Sequence, residues 1–359
     1  MEFIIQDALK TAESNYAEED LKIGNANMKV IGCGGAGSNI ASWLYKKGIT
    51  GAEVIICNTD KQHLDISHAE RKILLGRDLT RGLGCGGMPE RGKESAKESI
   101  QELREVIKGA DMIFVCAGMG GGTGTGAAPV VAQIAKEGGA IVIATVTMPF
   151  NIEKARCDKA EFGLQQLRQV CDTVIVMDNN RLCRIAGQLP LQQAFAVANE
   201  LLSTMIKGIV ETIAVPSLVN LDYADVKTIM SGGGVSVIGI GEAGSERRAE
   251  EAVKRALSNP LLDVTYEGAT GALIHITGGD DLLLEEVEKV GNVVSSSLDA
   301  DALVIWGARI DPKFEGKVRV MTIITGVTSP YVLGKIDRAR EKAKESTKMS
   351  HELGIDMIR

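Results

Sequence analysis

Ala117-Gly118-Met119-Gly120-Gly121-Gly122-Thr123-Gly124-Thr125-Gly126 is the stretch on which the fold turns. It follows the apolar run DMIFVCAG and leads into AAPVVAQIAKEGG, so it marks a strand-to-helix turn. Its six glycines and two threonines offer consecutive main-chain N–H donors, hydroxyls and a helix N-terminus, all suited to an anion. No residue of the loop is positively charged. Such a cradle holds a polyphosphate through backbone dipoles and a metal ion travelling with it. The competing reading is a tight turn where main chain crosses a neighbouring helix, which needs fewer glycines.

Working outward, 41 of the 359 residues are glycine, well above the ~7% of ordinary globular proteins. Fifteen of them fall in three short stretches, Gly32–Gly37, Gly82–Gly92 and Gly118–Gly126. In the first, Ile31-Gly32-Cys33-Gly34-Gly35-Ala36-Gly37-Ser38-Asn39 satisfies GxGxxG through Gly32, Gly34 and Gly37. Read alone it predicts a dinucleotide site, with Asp60 at the end of the next strand gripping a ribose. The second contains a P-loop look-alike, Gly87-Met88-Pro89-Glu90-Arg91-Gly92-Lys93-Glu94, in which Glu94 replaces the required Ser or Thr. An ordinary NAD enzyme needs a single phosphate loop. A second one suits a longer phosphate chain.

The frame for these loops is an alternation of strands and helices. MKVIG (28–32), EVIICN (53–58), DMIFVCAG (111–118), AIVIATVTMP (140–149) and TVIVMDN (173–179) are short, β-branched apolar runs, as parallel strands covered on both faces require. Charged segments of helical period, such as PERGKESAKESIQELREVIKGA, lie between several of them. The expected fold is therefore α/β, a Rossmann-like doubly wound sheet. Next, Leu191, Phe195, Ala198, Leu202, Met205, Ile209 and Ile213 share one face of a helix that ends before Pro216. At ~1.5 Å per residue it spans about 35 Å, a strut between two halves. A second, smaller α/β region follows, with strands VSVIGIGEA (235–243), ALIHITGG (272–279), ALVIWGARID (302–311) and KVRVMTIITGV (317–327). Helices are expected near 245–259 and 281–296, and DPKFEG joins the last two strands as a hairpin-like connection. The expected division is an N-terminal extension (1–26), a nucleotide domain (27–189), the central helix (190–215), a second domain (216–330) and a charged tail (331–359).

Composition narrows the function. Forty basic against 47 acidic side chains leave a net charge of −7, which argues against a nucleic-acid footprint. No apolar run reaches the roughly 18 residues of a membrane helix, and MEFIIQDALK lacks the features of a secretory signal. The seven cysteines show no CxxC spacing and read as reduced thiols, placing the chain in the cytosol. The four histidines show no metal-ligand spacing, and Trp43 and Trp306 read as core. Asn220-Leu221-Asp222-Tyr223-Ala224-Asp225-Val226, by spacing alone, is a helix start capped by an acid.

GGGTGTG resembles the tubulin-superfamily signature, and AGMGGGTGTGAAPVVAQIAK resembles that of the FtsZ family within it, over about Met28 to Val332. The resemblance implies a GTPase that polymerises head to tail in the cell-division ring, its turnover stimulated by assembly. It implies phosphate contacts from Gly34, Gly35, Ala36, Gly37, Ser38 and Asn39, a second loop with Asn58 and Asp60, and a third at Gly82–Gly92 facing the terminal phosphate. Gly120, Gly121, Gly122, Thr123, Gly124 and Thr125 would wrap the phosphates. Glu153 and Arg156 match ribose and phosphate contacts, and Asn179, Phe195 and Asn199 those that bind and stack guanine. The Glu153–Arg156 spacing is one residue shorter than the common bacterial pattern and points to the second of two archaeal FtsZ lineages.

NLDYADV resembles the family's synergy loop, which meets the nucleotide of the next subunit. That implies Asp222 and Asp225 as catalytic acids orienting a water, with Asn220 fixing the loop. The implied cofactors are GTP/GDP and Mg2+ carried by the nucleotide rather than by protein ligands, with a monovalent cation as a further candidate. The implied partners are further copies of the chain and a membrane-tethering adaptor docking on Leu353–Arg359. The implied location is the cytoplasm at the mid-cell division site. Two other readings stand beside this one: a tubulin-like GTP-binding scaffold or regulator with little hydrolysis, and a nicotinamide oxidoreductase built on the first GxGxxG.

Overall fold

The computed structural model describes residues 26–215, 217–219, 221–231, 235–258, 266, 269–299 and 301–327. The charged tail, its terminal peptide, Asn220 and all but the last residue of the N-terminal extension lie outside the described residues.

In chain order the first half runs β1 (Met28–Cys33), α1 (Gly34–Lys47), β2 (Ala52–Asn58), α2 (Lys61–Ile66), β3 (Arg71–Leu74), α3 (Arg77–Thr80), α4 (Pro89–Glu98) and α5 (Ile100–Ile107). It continues through β4 (Met112–Gly118), α6 (Thr123–Glu137), β5 (Ile141–Met148), α7 (Ala155–Val170), β6 (Thr173–Asp178), α8 (Asn179–Ala186) and the long α9 (Leu191–Ala214). After α10 (Tyr223–Ser231) come β7 (Val235–Ala243), α11 (Arg248–Leu257), β8 (Gly271–Gly278), α12 (Leu284–Ser295), β9 (Leu303–Ile310) and β10 (Val318–Val327).

Strands β1 to β6 are parallel in the order β3-β2-β1-β4-β5-β6, the doubly wound arrangement expected of alternating strands and helices. Burial explains their composition: β1 is buried throughout and β4 at all but its last residue, because helices cover both faces. The short β3, RKIL, escaped the sequence reading. Its exposed Arg71 and Lys72 suit a sheet edge rather than a core run.

Among the described residues, the second sheet continues the first through the backbone pairing of Val174 with Val235 and runs β7-β10-β8-β9. Here the hairpin expectation fails. β10 pairs antiparallel with β7 and β8, while β9 pairs parallel with β8 along its length, so β8 lies between β9 and β10. The connection crosses the end of β8, where Asp311 N–H donates to the Gly278 carbonyl. Apolar alternation reports a strand's faces but not its neighbour, so a short linker mimicked a hairpin. Trp306 is also corrected. It lies on the β9 edge strand and is 42% exposed, whereas Trp43 is half-buried with its indole N–H on Glu200 Oε2 at 2.7 Å.

Helix α9 binds the halves together. Met205, Ile206, Ile209 and Val210 share one core with Phe114, Ile143 and Ile175 of the first sheet and Ile238, Leu273 and Ile323 of the second. The predicted face is buried at Ala198, Leu202, Met205 and Ile209, but Leu191 and Phe195 project beyond the core. That exposed end turns out to be useful.

Glycine sets how closely these layers pack. A Cβ at Gly37 would stand 2.2 Å from the Cys116 carbonyl oxygen, because α1 lies against β4. Gly37→Ala is expected to destabilise the fold by about 1–3 kcal/mol, the usual cost of overpacking. Urea denaturation monitored by circular dichroism reads this as a lower midpoint at unchanged slope.

Candidate functional site

The parallel register brings Cys33 of β1 beside Ala117 of β4, so the two strands end together and launch α1 and α6 side by side. Both helix N-termini then face one hollow at the carboxyl ends of the strands, where two dipoles favour negative charge. The cavity is about 390 Å³. Gly35 and Ala36 line it from α1, Gly121 and Gly122 from the loop after β4, and Thr123 and Gly124 from the first turn of α6. Glu153, Arg156, Asn179 and Phe195 close the far side.

The glycines divide into two kinds. Cβ atoms at Gly122, Gly124 and Gly126 would stand 2.6 Å from Cys85 Cβ, 2.6 Å from the Gly118 carbonyl and 1.9 Å from the Pro89 carbonyl. Gly34 and Gly120 have φ of +71° and +92° and press on Gly124 N and the Arg156 carbonyl. For these, close backbone packing is what requires glycine, including the crossing with α4 that the plain-turn reading proposed. Of the glycines that line the cavity, only Gly35 and Gly121 have nothing within 4 Å of a Cβ and leave main chain open to a ligand.

Several further residues brace the loops from behind. Thr125 Oγ1 accepts the Gly120 N–H at 2.9 Å, and Thr59 and Thr123 hydroxyls meet at 2.7 Å with Cys85 Sγ donating to Thr59. Asn58 and Asp60 do not line the cavity. Asn58 Oδ1 accepts the N–H groups of Thr59 and Asp60, and Asp60 caps α2 through the His63 N–H. Gly37 is packed under β4, and Ser38 is fully buried with its hydroxyl unpartnered. Asn39 and Asn199 line the adjoining hollow of about 630 Å³, which Phe195 separates from the cradle. Sequence reasoning missed Thr147 and Phe150. They follow from the same rule as the cradle, since both stand at the carboxyl end of β5, and Phe150 meets Phe195 edge-on at 6.2 Å.

Glu153 and Arg156 come together: Arg156 Nη1 donates to Glu153 Oε2 at 2.5 Å, and the other carboxylate oxygen accepts the Phe150 N–H. With Arg156 largely exposed, the pair adds little stability. Its arrangement leaves a guanidinium at the cavity mouth.

Asp222 and Asp225 lie elsewhere. Each carboxylate accepts the other's N–H, at 2.8 Å from Asp225 and 3.1 Å from Asp222, so the helix-start pattern is realised as a reciprocal cap on α10. The Tyr223 hydroxyl donates to the Asp111 carbonyl at 2.9 Å, pinning α10 to the residue that precedes β4. Burial, then the charges of Asp111 and Asp172, hold the Tyr223 phenol above its ordinary pKa, so it stays a donor. The cradle begins where β4 ends. The seven residues of β4 span about 20 Å between the cradle and the end where Tyr223 holds α10, so one chain does not bring its acids to its own cradle. Among the described residues, no group of three or more His, Cys, Asp or Glu side chains is placed to hold a metal, and no helix is long and apolar enough to cross a membrane.

Two substitutions test this division of labour. Gly121→Ala is expected to leave the thermal midpoint unchanged, whereas Gly122→Ala lowers it by several degrees, since only the second Cβ meets neighbours. Tyr223→Phe keeps the ring and removes one hydrogen bond. It should cost about 1 kcal/mol in urea denaturation.

Comparison with known proteins places both halves of the chain. Residues 27–187 match the model of the Tubulin/FtsZ family, GTPase domain, and residues 234–328 that of the FtsZ family, C-terminal domain. The chain is 55% identical to Cell division protein FtsZ 2 of Methanocaldococcus jannaschii, covering 99% of this chain and 96% of the relative. It is 49% identical to Cell division protein FtsZ 1 of the same organism, over 91% and 92%. Among solved structures, an empty FtsZ dimer from M. jannaschii superposes with a TM-score of 0.79 at 49% identity, covering 89% of this chain and 92% of that one. A GTPγS-bound protofilament structure of CetZ2 from Haloferax volcanii, at 23% identity, TM-score 0.73 and coverage of 89% and 99%, shares the fold. With both halves matched in order along nearly its whole length, the chain belongs to the FtsZ family of tubulin-like cell-division GTPases.

Proposed function

We propose that this protein polymerises head to tail and hydrolyses GTP at a site completed between neighbouring subunits. The observation that carries the reading is the placement of cradle and acid pair at opposite ends of β4. A subunit stacked on another in the same orientation brings the second set of acids to the first cradle. Such a contact is heterologous and does not close, so it yields an open filament. Apolar side chains suit both ends: Leu83 and Ile152 are 85% and 86% exposed on the cradle side, and Leu218 is 64% exposed just before the acid pair.

In this reading the N-termini of α1 and α6 hold the phosphates through Gly35, Ala36 and Gly121–Gly124, with Gly34, Gly37, Ser38, Gly120 and Thr125 packed behind them and Asn39 beside the adjoining hollow. Mg2+ bound with the nucleotide would supply the positive charge that the glycine loop itself lacks. Asn179, Phe195 and Asn199 take the guanine, Glu153 and Arg156 the ribose and phosphate edge, and Asn58 and Asp60 shape the second loop. Asp222 and Asp225 each use one carboxylate oxygen for the reciprocal cap. Their other oxygens face the partner, where two acids on one helix face orient a single attacking water. The cap therefore positions the acids and does not compete with their chemistry. The domain division at the central helix, the adaptor contact of Leu353–Arg359 and a cytoplasmic division-site location belong to the same proposal.

Asp225→Ala is expected to bind GTP within a few-fold of the parent and to lose turnover by about 100-fold or more. Parent turnover per mole should rise above a critical concentration. Normal hydrolysis by the variant, or equal specific turnover in dilute monomer and concentrated protein, would refute the shared site.

A further inference from the structure

A cleft of about 720 Å³, larger than the nucleotide cavity and sharing no lining residue with it, separates the C-terminal half of α9 from one face of the second sheet. On that face the alternation of β8 that buries Leu273 against α10 continues with His275 and Thr277, polar residues that are nevertheless buried. His275 is 6% exposed, and its Nε2 has no hydrogen-bond partner among the described residues. Burial, reinforced by the charge of Arg309, pushes the His275 imidazole down to about 4, so it is neutral at pH 7.

The charges around it are unevenly matched. Lys47 pairs with Glu200, and Arg319 with Glu242 while stacking on Phe314. Lys207 donates to the Gly48 carbonyl and stands 3.5 Å from Glu211. Arg309, by contrast, has among the described residues only a long 3.9 Å approach to Asp311, whose other carboxylate oxygen accepts the Lys313 N–H. The Lys313 ammonium has no carboxylate partner among the described residues. An under-neutralised guanidinium, an unpaired ammonium, a hydroxyl and an unpartnered imidazole thus converge on a hollow of small-ligand size.

We propose that this cleft binds a small phosphate-bearing anion, held by Arg309 and Lys313 from the second sheet side, with Thr277 and His275 at its floor. Arginine supplies the fork that matches a phosphate, and lysine a point charge beside it. The site is independent of the cradle and of the catalytic reading above.

Pyrophosphate titrated into the full-length protein by calorimetry tests this, with saturating GDP present to occupy the cradle. Saturable binding at about one equivalent is expected, weakened tenfold or more in Arg309→Gln/Lys313→Gln and several-fold in Lys313→Gln alone. Both variants should keep parental thermal midpoint and GDP affinity. In the parent, the His275 imidazole resonances should move on addition of pyrophosphate. Absence of saturable heat, equal affinity in the variants, or unmoved His275 resonances would overturn the assignment.

Discussion

The close approach of two helix N-termini is the constraint from which the rest of the structure follows. Helices α1 and α6 can start side by side only because Gly34 presses on Gly124 and Gly37 on the Cys116 carbonyl, at distances no side chain tolerates. Two dipoles then converge without a cationic residue in the loop. The fold concentrates its glycines here because packing demands them, and the anion site is a consequence of that packing. Where the demand is absent, at Gly35 and Gly121, the backbone is left bare toward the cavity.

Strand β4 converts this local arrangement into an axial one. Its carboxyl end opens into the cradle, and its amino end is held through Asp111 by the hydroxyl of Tyr223. The same rigid element therefore fixes where the chain presents its glycine cradle and where it presents its acid pair. Helix α9 adds a second rigid link, with Phe195 at the cavity and Lys207 at the cleft beside the second sheet. Its central turns share a core with both sheets.

Much of the fold was legible because parallel strands buried on both faces must be continuous apolar runs. The runs at 28–32, 53–58, 111–118, 140–149 and 173–179 appear as β1, β2, β4, β5 and β6 with ends moved by at most one residue. Arg71–Leu74 was not legible, since an edge strand needs few apolar residues. The DPKFEG linker misled because a strand's pattern does not say which strand lies beside it. Trp306 misled for a related reason: only the sheet order reveals that β9 has an open edge.

For the site, the residue types alone determined that backbone dipoles at strand-to-helix turns would face an anion, since glycine-rich turns before helices have little other chemistry to offer. They also determined that an acid pair three residues apart would open a helix. Which glycines leave main chain open, that Asn58 and Asp60 bond to their own loop, and that acids and cradle lie at opposite ends of β4 were decided by the tertiary structure. The physical reason is that spacing along the chain governs local hydrogen bonding, whereas what a side chain reaches depends on the packing of distant segments. Three-dimensional separation of two local motifs is written in neither of them.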